Sequence, residues 1–336
     1  MKIAIAGLGL IGGSLALALR ETGHDVVAWN HRSAPYEAAR KQGIECVRSV
    51  EDLAHALPDI LVLCTPLKAM DSVLARLAPV LDERTTLTDV GSVKRQVLES
   101  VDEHGLRHCF VGAHPMAGNE LAGFDAADAR LFDRATWAVT VEDDTERERF
   151  IRVGQMICEG VKNRFIVTTA VDHDKATAQI SHMPHVVATA LACQLVNNKN
   201  SNIALALAAG SWRDMTRVAL TTPDRTQAMV DENPDNVAAL LHDIAARLED
   251  CAVMVENSMH DDTALRQFFE SAQPYRDVKA KLSKKIPEGV FTVPCDESAQ
   301  DWKQQLITAS RRGGRVEQID NFDAIVRHFP HLRDDE

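Results

Sequence analysis

Short apolar runs and stretches of helical spacing take turns along the first half of the chain. The runs at 2–6, 25–29, 59–64, 85–89, 109–112 and 136–141 are rich in Val, Ile, Ala and Thr and predict strands. Between the early ones, 11–21, 50–56, 70–81 and 94–103 place apolar residues every three or four positions, which predicts helices. Strand-helix-strand alternation implies an α/β fold, a parallel sheet with helices on both faces. Past about residue 169 the strand pattern stops. The segments 172–197, 202–220, 234–257 and 261–284 predict long helices, with Asp172, Asn233 and Asp261 as N-caps. The tail from 287 to 320 returns to a mixed pattern: strand 290–294, helix 298–311, the pair Gly313-Gly314, strand 315–319.

Composition narrows the partners. The 336 residues carry 49 acidic and 37 basic side chains, a formal charge of −12, which disfavours nucleic acid and anionic membrane surfaces. No segment reaches the roughly 18 apolar residues of a membrane span. The apolar N-terminus is broken by five glycines between Gly7 and Gly23 and is expected to be folded structure, not a leader. Seven cysteines with no Cys-x-x-Cys pair fit reduced thiols in a cytoplasmic protein, most of them small core residues.

The first chemistry-bearing motif is Gly7-x-Gly9-x-x-Gly12, which follows the first strand and opens the first helix. In a Rossmann dinucleotide-binding domain the first glycine makes the tight turn, the second lets backbone approach a pyrophosphate, and the third lets helix and strand pack closely. The phosphates then meet free N–H groups at the helix N-terminus, here those of Leu10, Ile11 and Gly12. An NAD site places an acid at the end of the second strand, but Asn30-His31-Arg32-Ser33 stands there instead. Arg32 and Ser33 can hold a 2′-phosphate through charge-assisted hydrogen bonds, so NADP is expected over NAD. A solvated loop is the competing reading of these four residues.

Strand ends of an open parallel sheet line its ligand crevice. Three places therefore stand out: Cys64-Thr65-Pro66, Asp89-Val90-Gly91-Ser92-Val93-Lys94, and Gly112-Ala113-His114-Pro115-Met116-Ala117-Gly118. Thr65 and Pro66 are cofactor candidates. His114, in a turn of loop-forming residues, suits acid-base work or a purely structural role about equally. In the helical half, His182-x-x-His185 suggests a metal pair, but Pro184 distorts the face and only His173 and Asp174 lie close in sequence, so no metal is expected. Arg213 and Arg217, four apart among small residues, form either an anion-binding end or a solvated basic turn.

Taken in order, Gly-Leu-Gly-Leu-Ile-Gly-Gly-Ser, Asp-Val-Gly-Ser-Val-Lys, Gly-Ala-His-Pro-Met-Ala-Gly, Ser-His-Met-Pro-His and Arg-Asp-Met-Thr-Arg-Val-Ala closely resemble the prephenate/arogenate dehydrogenase family of tyrosine biosynthesis, over about residues 1–285. The resemblance implies an N-terminal Rossmann domain at 1–168, an all-α substrate and dimerisation domain at 169–285 that intertwines with a second copy, and a short βαβ-like extension at 286–336. It implies NAD(P)-dependent oxidative decarboxylation of prephenate or arogenate, giving 4-hydroxyphenylpyruvate or tyrosine. By motif, His114 matches the catalytic histidine that hydrogen-bonds the ring 4-hydroxyl, and Ser92 the serine beside it. Arg217 matches the arginine for the ring carboxylate, His185 a histidine shaping the substrate pocket, and Arg213 a position where lysine or arginine often stands. Asn119 departs from the Thr or Ser of many relatives, which leaves the choice of prephenate or arogenate open. The extension is too short for the ligand-sensing ACT module of some relatives. A β-hydroxyacid dehydrogenase and a non-catalytic NADP-binding sensor share the layout. The former lacks its catalytic-lysine motif here, and the latter has no need of Ser92, His114, His185 and Arg217 together.

Overall fold

Six strands alternate with helices and pair only in parallel: β1 (Lys2–Ala6), β2 (Asp25–Trp29), β3 (Glu45–Cys46), β4 (Ile60–Leu63), β5 (Thr86–Asp89) and β6 (Phe110–Val111). A computed structural model describes every residue except 120, 260–261, 284–288, 297–298, 321 and 333–336. The strand order, β3-β2-β1-β4-β5-β6, reverses direction beside β1, so a ligand crevice opens beyond the C-terminal ends of β1 and β4. Alternate residues feed two separate cores. Ile3, Ile5, Val26, Ala28, Ile60 and Val62 belong to one. Ala4, Ala6, Val27, Leu61, Leu63 and Leu87 belong to the other. This explains why the strands read as continuous apolar runs.

At Gly112 the chain leaves this sheet and enters a second one, made of β7 (Ala113–Pro115), β8 (Thr136–Thr140), β9 (Arg164–Thr168), β10 (Gly289–Pro294), β11 (Gly314–Asp320) and β12 (Asp323–His328) in the order β10-β12-β11-β9-β8-β7. A side chain at Gly112 would sit 2.5 Å from Thr140 Oγ1, so only glycine allows the crossing. The C-terminal segment is thus not a free-standing extension. Its strands continue this sheet through the pairing of β11 with β9, and its helix Trp302–Arg311 lays Trp302 on Phe150 with ring centroids 4.7 Å apart. It also holds one strand more, β12, than the sequence pattern suggested.

The chain divides into two units, Met1–His173 with Asp277–Glu336, and Asp174–Arg276. The first therefore runs a few residues beyond the expected limit at 168 and recovers the chain from Asp277. Residues 285 and 286, at the other expected limit, lie outside the described residues, as do the expected cap Asp261 and the expected helix start Ser298.

The helices of the second half are more broken than their periodicity implied. The stretch expected at 172–197 starts at Ala170, with Thr169 accepting from the Asp172 N–H, so Thr169 takes the capping role expected of Asp172. A π-turn at Ala178–His182 interrupts it just before Pro184, which lacks an N–H and crowds the preceding turn. The segment expected at 202–220 breaks at Ala208 and Ala209, both extended, into Ser201–Leu207, Gly210–Thr216 and a 3₁₀ turn at Arg217–Leu220. Gly210, a poor helix former, sits at the restart. A helix at Pro223–Asp231 was not expected, whereas Pro234–Asn257 follows the predicted range. Asn233 stands at its N-cap position, but its side chain donates to Asp174 O at 2.7 Å and accepts from Asn236 instead of capping.

Candidate active site

The glycine loop is shaped as the motif requires. Gly7 has φ +121°, and a Cβ there would lie 2.6 Å from Cys64 O, so any side chain would be both strained and obstructed. A Cβ on Gly12 would collide with Gly7 O and Cys64, the tight contact of helix and strand. Gly9 has nothing within 4 Å of its would-be Cβ among the described residues, which leaves room above the loop. The helix Leu10–Glu21 that follows has no side-chain cap and no acid in its first turn, so its N–H groups and positive end are available to an anion. Beside the loop, at the end of β4, Thr65 Oγ1 is buried without a hydrogen-bond partner. An open glycine, an uncapped helix and an unpartnered hydroxyl fit a dinucleotide's pyrophosphate end.

At the end of β2, Asn30 is held by the chain itself. Its Oδ1 accepts from Leu8 N at 3.0 Å and its Nδ2 donates to Arg32 O, while the Tyr36 hydroxyl bonds both its backbone N–H and carbonyl. The residue braces the glycine loop, and its polar atoms are already engaged. His31, Arg32 and Ser33 are exposed beyond it, and no ion pair of Arg32 exists among the described residues. Pro66, also exposed, leads into the helix Leu67–Leu77.

His114 lies on β7, paired opposite Ala138 of β8, with its imidazole half-buried. Its Nδ1 is 2.9 Å from Nε2 of His173, which is itself buried, and the rings meet edge to face. One of the two nitrogens must carry the shared hydrogen. When His114 supplies it from Nδ1, its Nε2 is left as a proton acceptor. His173, seen in the sequence only beside the metal-like pair, is therefore a site residue that the motif reading missed. Ser92 occupies the loop between β5 and the helix Arg95–Glu103, half-buried. The two ends of that loop, Asp89 and Lys94, are both fully buried and form an ion pair.

In the second unit, His185 donates from Nδ1 to Ser181 O at 2.8 Å, which leaves Nε2 as an acceptor in the neutral ring. His182 points elsewhere: it is buried, with Asn233 Nδ2 3.4 Å from its Nδ1. The 3₁₀ turn that begins at Arg217 packs against the helix Met183–Val196 that carries His185. Arg217 is exposed with no ion pair among the described residues, and Arg213, also exposed, lies 3.4 Å from its neighbour Asp214. The two arginines do not share one continuous helix, because the α-helix ends at Thr216. Among the described residues no group of three metal-ligating side chains occurs.

Residues 15–167 match the model of the prephenate dehydrogenase nucleotide-binding domain, and residues 169–271 that of the prephenate dehydrogenase dimerization domain. The cyclohexadienyl dehydrogenase of Zymomonas mobilis is 31% identical over 293 residues, 86% of this chain and 97% of that protein. The chain belongs to the prephenate/arogenate dehydrogenase family. The Synechocystis arogenate dehydrogenase structure matches with TM-score 0.72 and 30% identity, covering 82% of this chain and 99% of that one. The Aquifex aeolicus prephenate dehydrogenase, solved with hydroxyphenyl propionate and NAD+, matches with TM-score 0.72 and 25% identity, covering 85% and 98%. The family's nucleotide-binding and helical domains thus correspond to the parallel sheet and the helical half, and the cofactor is a nicotinamide dinucleotide. No described helix is long and apolar enough to cross a membrane.

Proposed function

We propose that this family member is an NADP-preferring dehydrogenase that oxidatively decarboxylates prephenate, arogenate or both. The observation that carries the reading is the His114–His173 contact at the start of the second sheet, an imidazole held by a buried partner in a chain whose relatives are named for these two substrates. When bound, the nicotinamide supplies the hydride acceptor for the ring carbon that bears the hydroxyl. His114 takes the hydroxyl proton on Nε2, with Nδ1 fixed by His173. Loss of the ring carboxylate as CO₂ and formation of the aromatic ring draw the reaction onward. Arg217 pairs with that carboxylate, His185 and Arg213 shape and charge the rest of the substrate site, and Ser92 orients the hydroxyl beside His114. Gly7, Gly9, Leu10, Ile11 and Gly12 receive the pyrophosphate, with Thr65 and Pro66 beside it. Arg32, His31 and Ser33 favour the 2′-phosphate of NADP, with Asn30 as their brace.

The helical unit leaves Ile203, Leu205, Leu207, Leu220 and Leu248 more than half exposed, which supports a homodimer that covers them. The deciding experiment follows nicotinamide reduction by absorbance with both substrates and both cofactors. Turnover of at least one substrate, fastest with NADP and reduced about 10²- to 10⁴-fold in His114→Asn, is expected. No turnover of either substrate, or a His114→Asn enzyme with normal kcat, would refute the reading.

A further inference from the structure

Asp89 and Lys94 bracket the loop that carries Ser92, and both side chains are sealed from solvent, 0% and 1% exposed. Their bonds converge on one place. The Asp89 carboxylate accepts from Gly91 N at 2.8 Å with Oδ2, from Ala113 N at 3.1 Å with Oδ1, and from the Lys94 ammonium. Lys94 Nζ also donates to Ala113 O at 2.8 Å. The residue before His114 therefore has its N–H and its carbonyl clasped by the two members of one ion pair. On its other side β7 is paired with β8, through Gly112 O and the Met116 N–H among others. The pair stands where a neighbouring strand would stand, one acceptor and one donor at the free edge of β7.

The surroundings are cut to fit it. A Cβ on Gly91 would lie 2.9 Å from Asp89 Oδ2, and one on Gly112 would lie 3.3 Å from Lys94 Cδ. Two buried charges are an expensive way to hold a fold together, since apolar residues of similar volume often serve as well or better. What an ion pair adds is direction: the oxygens and the ammonium fix the register between the loop of Ser92 and the strand of His114, which packing alone leaves loose.

We infer that Asp89 and Lys94 are positioning residues that lock the loop carrying Ser92 to the backbone of His114. The inference rests on the proposed role of His114. A displacement of about 1 Å at a reacting group can cost on the order of 10²-fold in rate, so the couple should act on kcat and leave ligand affinity alone.

The test is the double variant Asp89→Asn/Lys94→Met in the full chain, which removes both charges together and strands neither. The expected result is a folded protein with kcat lowered about 10²-fold, while KM and the NADP dissociation constant stay within about threefold. A second readout needs no turnover: in ¹⁵N-histidine-labelled, substrate-free protein, the imidazole resonances of His114, assigned by their absence in His114→Gln, should shift while that of the exposed His55, which precedes β4, stays in place. If the parent enzyme oxidises neither substrate, the functional reading fails and this second arm still tests the couple. A double variant with kcat within threefold of the parent, one that raises KM alone, or one that fails to fold would overturn the inference and leave the pair as scaffold.

Discussion

Replacing His173 by Phe isolates what the second imidazole gives to the first. The His173 ring is buried and meets His114 edge to face, with centroids 5.1 Å apart and planes at 69°. Phenylalanine preserves that aromatic contact and most of the volume but removes both nitrogens, so His114 Nδ1 loses the partner now 2.9 Å away. A hydrogen bond of this kind has a net worth of about 0.5–1.5 kcal/mol. If the whole of it serves to hold His114 in the tautomer whose Nε2 accepts a proton, kcat falls roughly 2- to 13-fold, since 1.36 kcal/mol is a factor of ten. KM should hardly move, because the proposed role of His173 is to hold His114 and not to bind a substrate carboxylate. Steady-state kinetics at saturating cofactor give both numbers, and thermal unfolding in parallel checks that the ring has been accommodated. An unchanged kcat would show that His114 keeps its orientation without His173. A loss as large as that of His114→Asn would show that His173 itself moves the proton. Either result would refute the reasoning.

Arg32→Ala should weaken NADP binding about 10- to 150-fold, the worth of a charged hydrogen bond of about 1.5–3 kcal/mol, and leave NAD binding unchanged. Fluorescence titration with both cofactors checks it, and an equal loss for the two would remove Arg32 from the 2′-phosphate. Arg217→Ala should raise KM for substrate at least tenfold with a smaller change in kcat, as expected when one charged contact to a carboxylate is lost; an unchanged KM would exclude it from the site. Arg76 grips Glu51 through two hydrogen bonds of 2.7 and 2.6 Å and holds its carboxyl well below the usual range, at about 2. The folded-state value lies below the unfolded one, so this stabilisation is present above about pH 4.5 and is lost as pH falls toward 2. The difference in melting temperature between the parent and Glu51→Gln should therefore be largest near neutrality and shrink through that acid window. Sedimentation at micromolar concentration should give a dimer, and Leu205→Asp with Leu248→Asp should shift it toward monomer if the exposed helical face is the interface.

Most of the parallel sheet was legible in the sequence because β1, β2, β4 and β5 lie in runs rich in apolar residues and Thr that are each followed by a helix; β3, two residues long with Glu45 exposed, offered no run to read, and the strand predicted at 136–141 belongs to the second sheet. The glycine loop was legible for a related reason: its three glycines answer to local backbone geometry, visible within six residues. The features that escaped are those set at long range. His173 lies 59 residues from His114, and nothing in the local pattern of either announces the other. Lys94 begins a predicted helix, yet its ammonium reaches back across the loop to Asp89, a role signalled only by an acid and a lysine bracketing a glycine. The break at Ala208 and Ala209 hides in a run of small apolar residues that fits a helix by periodicity alone. Asn30 was placed correctly in the chain, but whether its amide faces a ligand or the glycine loop depends on where Leu8 N points.

The C-terminal segment shows the same limit on a larger scale, and its placement bears on the site. A strand pattern states which residues are apolar, not which strand they join, so 290–294 and 315–319 looked like parts of an appendage. In the folded chain β11 and β12 close the edge of β9, while Ser310 accepts from Val167 N and Ile319 packs against Gly154, where even a Cβ would collide. The sheet that begins with the strand of His114 is thereby completed by residues some 200 positions later in the chain. Without them β9 would be an open edge, and Phe150, which meets Phe165 edge to face, would lose the cover of Trp302. The extension thus supports the site at a distance, by finishing the sheet from which β7 holds His114.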